Sequence, residues 1–220
     1  SPSLMLVSLL VIILPALASA QVEWPKCDDK SDNVVRIFNS PGSQQLPVQL
    51  NGASMTTYDA NFQPACNTTG GDITFPGEAS VNQGTMTVTQ KFDARFVTMR
   101  LTMKKNDTEI GWMCIDGVAQ NGLVDNTFCT FDFCDSYQSV IYAMPICDAL
   151  TQPGVYKLDE KTPFPIYFFF NPIPYEDRNL MTGMWKISAR ASLGDVVIFD
   201  WTFMGTDDSG WVHITKTGVQ

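Results

Sequence analysis

Hydrophobic and polar residues alternate along two neighbouring stretches that begin near residue 84. In the first stretch Met86, Val88 and Phe92 share one parity, and threonine and lysine occupy the other. A period of two predicts strands with one buried face and one solvated face, and Asp93-Ala94 is the predicted hairpin connection between the two strands. The apolar positions of the second stretch are Val97, Met99, Leu101 and Met103.

The same alternation returns near the end of the chain and predicts a hairpin of residues 183–191 and 196–204. Gly194 supplies the turn between the two strands. Threonine, valine and aromatic residues are enriched here, as is typical of strands. The alternating apolar residues are Trp185, Ile187, Ala189, Val197, Phe199, Trp201 and Phe203.

One run departs from alternation, because Ile166–Phe170 is apolar throughout. This pattern fits a strand that is buried on both faces. It fits equally well a strand of which one face lines an apolar cavity, and the periodicity does not separate the two alternatives.

Residues 21–80 are rich in Asn, Gly, Pro and Ser and show weak periodicity, so short strands and loops are expected there. The chain carries no long stretch of helical periodicity. Many short strands separated by turns predict an all-β fold, an antiparallel sandwich or barrel. We expect residues 21–220 to form one domain, since 45% of the chain is apolar and can fill a core.

The first twenty residues are predicted to be a secretory signal peptide. Leu4–Leu17 is almost purely apolar, and the small residues Ala18-Ser19-Ala20 follow it as a cleavage site. A membrane span is the weaker alternative, because the run is short and lacks basic flanks. The expected location is therefore extracellular or the lysosomal lumen.

Charge and composition exclude several classes of function. The formal net charge is −9, and a protein that binds nucleic acid through a basic face needs clustered Lys and Arg. The single histidine, His213, leaves little for a metal site, so no metal or cofactor is expected, and the residue itself is predicted to lie exposed in a polar tail. No serine-nucleophile motif occurs, and nothing singles out a catalytic pair among the 23 Asp and Glu residues, so no catalytic residue is predicted.

Six cysteines in a secreted chain predict disulfides, although six allow fifteen pairings. Their spacing suggests two local loops, Cys114–Cys129 and Cys134–Cys147, and leaves Cys27–Cys66. Asn67 and Asn106 each begin an N-x-Thr sequon, which predicts N-glycosylation in exposed loops.

Four short motifs resemble a known family. Cys129–Asp135 resembles the family's C-T-F-x-x-F-C-D with one residue fewer, and Trp24–Asp28 resembles its W-x-x-C-D. Cys147–Leu158 resembles C-P-x-x-x-G-x-Y-x-L, and Leu180–Ile187 resembles L-T-T-G-x-Y-x-I. The order is kept over about residues 24–37 and 80–205. On these motifs the chain resembles the ganglioside GM2 activator family of the MD-2-related lipid-recognition superfamily.

The resemblance implies a β-cup whose apolar interior holds acyl chains of a lipid. It implies transient contact with a membrane surface and, for the family's activators, presentation of a glycolipid to a soluble glycosidase. It also implies the pairs Cys114–Cys129 and Cys134–Cys147. The family's partner for Cys27 has no match in the last strand, so we predict Cys27–Cys66, with residues 39–76 as an insertion and 206–220 as a tail.

The predicted function is therefore non-enzymatic binding or transfer of a glycolipid or phospholipid. The alternative is a secreted β-sandwich that binds carbohydrate or another protein without a lipid cavity. An enclosed apolar cavity would favour the first, and exposed aromatics on a flat face the second. The candidate residues of the cavity and its rim are Met86, Val88, Val97, Met99, Leu101, Met103, Trp112, Phe168, Phe170, Leu180, Met181, Trp185, Ile187, Phe199 and Trp201.

Overall fold

A computed structural model describes residues 26–134, 141–144, 152–159, 166–170, 178–206 and 209–216. The predicted signal peptide lies outside these residues. The described strands are β1 Val34–Asn39, β2 Val48–Asp59, β3 Cys66–Asn67, β4 Gly70–Phe75, β5 Gly77–Val88, β6 Val97–Lys105, β7 Trp112–Ile115, β8 Val118–Ala119, β9 Thr130–Asp132, β10 Ile141–Met144, β11 Gly154–Lys157, β12 Ile166–Phe170, β13 Gly183–Leu193, β14 Val196–Met204 and β15 Val212–Lys216. Two short helices, α1 Asn126–Cys129 and α2 Arg178–Met181, and a 3₁₀ turn at Ala94–Phe96 complete the described elements.

The strands form one mixed sheet that curls into a half-barrel, which confirms the predicted all-β fold. One wall has the order β10-β12-β5-β2-β1, and it continues through β14 and β13 into the opposite wall, where β6 pairs with β13. Most neighbours are antiparallel, whereas β15 and β4 run parallel. The core lies between the walls and includes the fully buried Trp185 and Phe199.

The predicted C-terminal hairpin is confirmed. β13 and β14 pair in antiparallel register, with Ile187 opposite Phe203. Gly194 takes a positive φ of 58° in the turn between them, a conformation in which a residue without a Cβ is favoured. Away from the turn, alternation places one set of side chains in the core. Next to the turn the register shifts between Ala191 and Ser192, and Ile198, which the pattern placed on the polar face, is buried.

The hairpin predicted at Asp93-Ala94 is wrong. β5 pairs with β2, β11 and β12, whereas β6 pairs with β7, β9 and β13. The intervening segment crosses from one wall to the other. It is fixed there because Phe92 and Ala94 are buried and the Asp93 side chain caps the 3₁₀ turn by accepting from the Arg95 N–H.

Residues 39–76, expected to be an insertion, belong to the sheet. They contain β2, which lies between β1 and β5, as well as β3 and β4. The corner from β4 into β5 is tight, because a Cβ on Gly77 would lie 2.6 Å from the carbonyl oxygen of Tyr58. The expected tail likewise contains a strand, β15, which pairs with β4 and with the start of β13.

Two predicted disulfides are confirmed. Cys27–Cys66 has a Cα–Cα distance of 5.9 Å and ties the chain ahead of β1 to β3. Cys114–Cys129 has a Cα–Cα distance of 5.7 Å and ties β7 to α1. Cys134 is disulfide-bonded as well, and Cys147, its predicted partner, lies outside the described residues.

Candidate functional site

An apolar cavity lies between the two walls of the half-barrel. Its volume is about 50 Å³. The side chains that line it are all apolar or aromatic: Met55, Ile73, Phe75, Met99, Leu101, Met103, Phe131, Phe133, Phe168, Phe170, Ile187, Ala189, Trp201, Phe203 and Ile214.

Strand alternation positions most of this lining. Along β6, Met99, Leu101 and Met103 point inward and are buried, while the residues between them are partly exposed. β13 contributes Ile187 and Ala189 in the same way, and β14 contributes Trp201 and Phe203. Because neighbouring strands are in register, their inward residues form one continuous apolar surface.

β12 follows the same rule, which separates the two alternatives for its apolar sequence. Phe168 and Phe170 are buried and line the cavity. Tyr167 and Phe169 lie on the other face, where they are half-buried and their ring centroids are 6.4 Å apart. One face of this strand therefore lines the cavity.

β4 and β15 supply a part of the cavity that the sequence did not indicate. Ile73 and Phe75 of β4 and Ile214 of β15 belong to the lining. The Phe75 ring contacts the Phe170 ring of β12, with centroids 5.2 Å apart. These strands lie in the segments expected to be an insertion and a tail, so their inward residues were missed, as were Met55, Phe131, Phe133, Ala189 and Phe203.

The remaining candidate residues lie elsewhere. Five are buried in the core but are not part of the cavity lining: Met86, Val88, Val97, Trp185 and Phe199. Met181 is buried in α2, and its carbonyl oxygen accepts a hydrogen bond from Trp185 Nε1 at 2.7 Å. Leu180 is half-buried beside it. Trp112 is 43% exposed and lies under the Lys104 ammonium, 5.1 Å from the ring centre.

The cavity is small, and its lining is entirely apolar or aromatic. A lining without charged groups makes it a poor place for an ion and a favourable one for hydrocarbon. The cavity volume exceeds what one water molecule needs, but it is small beside typical ligand pockets. The three methionines in the lining, Met55, Met99 and Met103, can change rotamer at low cost, so the cavity can adapt to a slender hydrocarbon chain.

A second concave region lies on the outer face of the first wall. It is a polar groove lined by Lys30, Val34, Ser54, Thr56, Asn82, Gln83, Lys157 and Asp159. Its side chains bond one another, as Ser54 Oγ donates to Gln83 Oε1 and Asn82 Nδ2 donates to Thr56 Oγ1, each at 2.8 Å. None of these lining residues is aromatic, so the groove lacks a stacking platform for a sugar ring.

The shifted carboxyl groups lie away from the cavity. The Thr127 hydroxyl holds the pKa of Asp125 below its ordinary value, and the Ile110 backbone N–H does the same for the pKa of Asp107. The Arg95 side chain lowers the pKa of Asp93. Burial raises the pKa of Glu78. These four carboxyl groups lie in loops and on the outer face of the sheet, so they supply no acid–base pair to the cavity.

The two sequons differ in their surroundings. Asn106 is exposed in the loop after β6, as a glycan requires. Asn67 is half-buried: its amide nitrogen bonds Asp72 Oδ1, and its amide oxygen accepts from both the N–H and the hydroxyl of Thr69 at 2.6 Å. A glycan on Asn67 would have to be accommodated within this network.

No protein-family model and no curated protein matches the chain. Within the described ranges, no helix combines the length and the apolar character that crossing a bilayer would require. The same ranges contain no group of three or more His, Cys, Asp or Glu residues that could hold a metal ion. The two disulfides described are typical of proteins that fold in an oxidising compartment.

Proposed function

We propose that this protein binds a lipid without transforming it, holding an acyl chain in the cavity between the two walls of the half-barrel. The observation that carries the proposal is the lining itself, in which every side chain is apolar or aromatic. Such a surface lowers the free energy of a hydrocarbon chain transferred from water by about 25 cal/mol for each Å² buried.

The dimensions of the cavity favour one chain. A cavity volume of about 50 Å³ is too small for two acyl chains, and we refer to this cavity as the slot. A single acyl chain is slender enough to enter by displacing methionine side chains, whereas two chains would require the walls to separate. A dense core resists such separation because its packing is close to that of an organic crystal.

The resemblance to the GM2 activator family supports the same proposal from the sequence. It favours a glycolipid or phospholipid as ligand, transient contact with a membrane surface, and an extracellular or lysosomal location. A soluble glycosidase as partner rests on that resemblance alone. The exposed Trp112 is the candidate for membrane contact, since an indole ring suits the boundary between lipid and water.

The charge of the protein makes this proposal dependent on pH. The sequence pI is about 4.4, so the net negative charge decreases as the pH falls toward that value. Repulsion from anionic lipid headgroups decreases with it. Contact with an anionic membrane is therefore expected to be stronger in an acidic compartment.

Extraction of lipid from vesicles tests the proposal. The protein is mixed with vesicles containing a labelled ganglioside, neutral glycolipid or phospholipid at about pH 4.5 and about pH 7, and the vesicles are then removed. We expect saturable appearance of one lipid per protein in the soluble fraction, with more from anionic vesicles at the lower pH. Failure to extract any lipid at either pH would contradict the proposal.

Among the described residues, the carbohydrate-binding alternative would have to use either the exposed aromatic side chains Phe38, Phe62, Phe96 and Trp112, which belong to four separate segments, or the polar groove. Its side chains are largely bonded to one another, and it lacks an aromatic platform among its lining residues. The observations therefore favour the lipid function, and binding to a glycan array in the absence of lipid extraction would reverse that preference.

A further inference from the structure

One residue of the cavity lining carries a polar group. Of the side chains that line the cavity, Trp201 alone carries an N–H or O–H group. The residue is 2% exposed, and its Nε1 atom is buried without a hydrogen-bond partner among the described residues. A buried donor that has lost water and gained no partner costs free energy, so most such groups in proteins are satisfied.

The other large buried tryptophan of the core provides an internal comparison. Trp185 is 0% exposed, and its Nε1 donates to the Met181 carbonyl oxygen at 2.7 Å. The fold thus satisfies the buried indole that lies outside the cavity lining. The unsatisfied indole belongs to the lining.

The orientation of the Trp201 ring is fixed by its neighbours. The ring stacks on Phe199 with centroids 3.8 Å apart and an interplanar angle of 17°. Its backbone is held in the middle of the sheet, with Ala189 opposite on β13 and Asn39 opposite on β1. A donor held in this way loses little freedom when it bonds a ligand, so its contribution to affinity is pre-organised.

The surroundings select the kind of acceptor. An ionised carboxylate would enter a lining that contains no cation, and an unpaired charge in such a place is unfavourable. A neutral carbonyl oxygen is desolvated more easily and can accept the single hydrogen bond that Trp201 offers. In acyl lipids, the neutral acceptor attached to the hydrocarbon chain is the carbonyl of an ester or an amide.

We propose that Trp201 Nε1–H is the polar anchor of the cavity and donates a hydrogen bond to the ester or amide carbonyl of a bound acyl lipid. This inference rests on the proposed lipid function and adds the ligand class: lipids whose hydrocarbon chain ends in a neutral ester or amide carbonyl, in preference to plain hydrocarbons and ionised fatty acids. The chain is held by the apolar lining, and the anchor sets how deeply the carbonyl sits.

The test compares two probes that have the same number of non-hydrogen atoms, methyl decanoate and tridecane. Binding of each is measured for the wild type, for Trp201→Phe, which removes the donor, and for Phe203→Leu, which changes the lining without touching a donor. The quantity of interest is the ratio of the two affinities in each protein, because general loss of apolar contact affects both probes. Decanoate at about pH 7 serves as the ionised comparison.

We expect Trp201→Phe to reduce the preference for the ester by about three- to tenfold, the size of one neutral hydrogen bond. Phe203→Leu should weaken both probes and leave the ratio unchanged. In the wild type, decanoate should bind more weakly than the ester. The Trp201 indole ¹H–¹⁵N resonance should move farther on addition of the ester than on addition of tridecane, because only the ester supplies an acceptor. This readout stands even if the Trp201→Phe protein does not fold.

An unchanged ratio in Trp201→Phe, or an indole resonance that responds equally to both probes, would overturn the anchor and leave the lipid function standing. If the wild type bound neither probe and extracted no lipid from vesicles, the lipid function itself would fail. The two failures are therefore distinguishable.

Discussion

Asp72 joins segments that are far apart in the sequence. Its carboxylate is almost fully buried, and Oδ1 accepts from the Asn67 amide and lies 3.0 Å from His213 Nδ1. Because a carboxylate only accepts, the imidazole donates from Nδ1. The sequence favoured an exposed tail position for His213, and the structure instead places it in β15 with its side chain 25% exposed. No local pattern indicates a partner that is 141 residues away.

A second single-residue feature is the cap of α1. The Asp125 side chain accepts from the N–H groups of Thr127 and Phe128, and the Thr127 hydroxyl is the main cause of its lowered pKa. A carboxyl group with a lowered pKa stabilises the fold at pH values above its unfolded pKa. That stabilisation disappears as the pH falls through the lower pKa of the folded state.

We therefore expect Asp125→Ala to lower the melting temperature by an amount that is constant between about pH 7 and about pH 4.5. The difference from the wild type should shrink only below the ordinary value of 3.8. Thermal unfolding of both proteins across this range measures it, and Asp195→Ala, an exposed residue of the β13–β14 turn, is the control. A difference that already shrinks between pH 7 and pH 4.5 would contradict the assignment.

Among the secondary-structure elements, the sequence predicted the strands in which one face is apolar and the other is polar. β6, β13 and β14 alternate, and each appears where the pattern places it. β2 was missed as a long strand because its interior includes the polar residues Ser54, Thr56 and Thr57, all of which are buried. Because buried polar residues interrupt the alternation of apolar and polar positions, the pattern does not reveal such a strand.

β15 was missed for a different reason. It is short, and it is stabilised by a parallel partner, β4, from another part of the chain. Parallel pairing involves distant segments and leaves no hairpin signature in the sequence. The insertion and tail expected from the resemblance are thus the two segments that meet in this pair.

This pairing predicts that the end of the chain is structural. Val212 is 1% exposed in β15, so Val212→Ala should lower the free energy of unfolding by about 1–3 kcal/mol through lost burial and the cavity left behind. Val155→Ala, at a residue that is 71% exposed in β11, is the matched control and should change it by less than about 0.5 kcal/mol. Urea unfolding measures both, and equal effects would show that β15 is not packed as described.

At the scale of the whole molecule, the half-barrel places inward faces from distant strands around one slot. The sequence identified part of this lining, from β6, β12, β13 and β14, because alternation marks inward residues strand by strand. It did not distinguish residues that line the slot from those that only fill the core, such as Trp185 and Phe199. That difference depends on how the walls curve, and curvature is set by pairing between remote strands.

If the lipid chain lies in the slot between the walls, a side chain that obstructs the slot should weaken binding. Ala189 lines the slot, so Ala189→Leu places a larger side chain in it, whereas Ser188→Leu adds the same side chain to the opposite face of β13. Calorimetric titration with methyl decanoate, with circular dichroism to verify folding, gives the affinity of each variant. We expect Ala189→Leu to weaken binding about five- to 150-fold, because overpacking costs about 1–3 kcal/mol, and Ser188→Leu to bind as the wild type does. Equal affinity in a folded Ala189→Leu protein would show that the lipid chain does not lie in the slot.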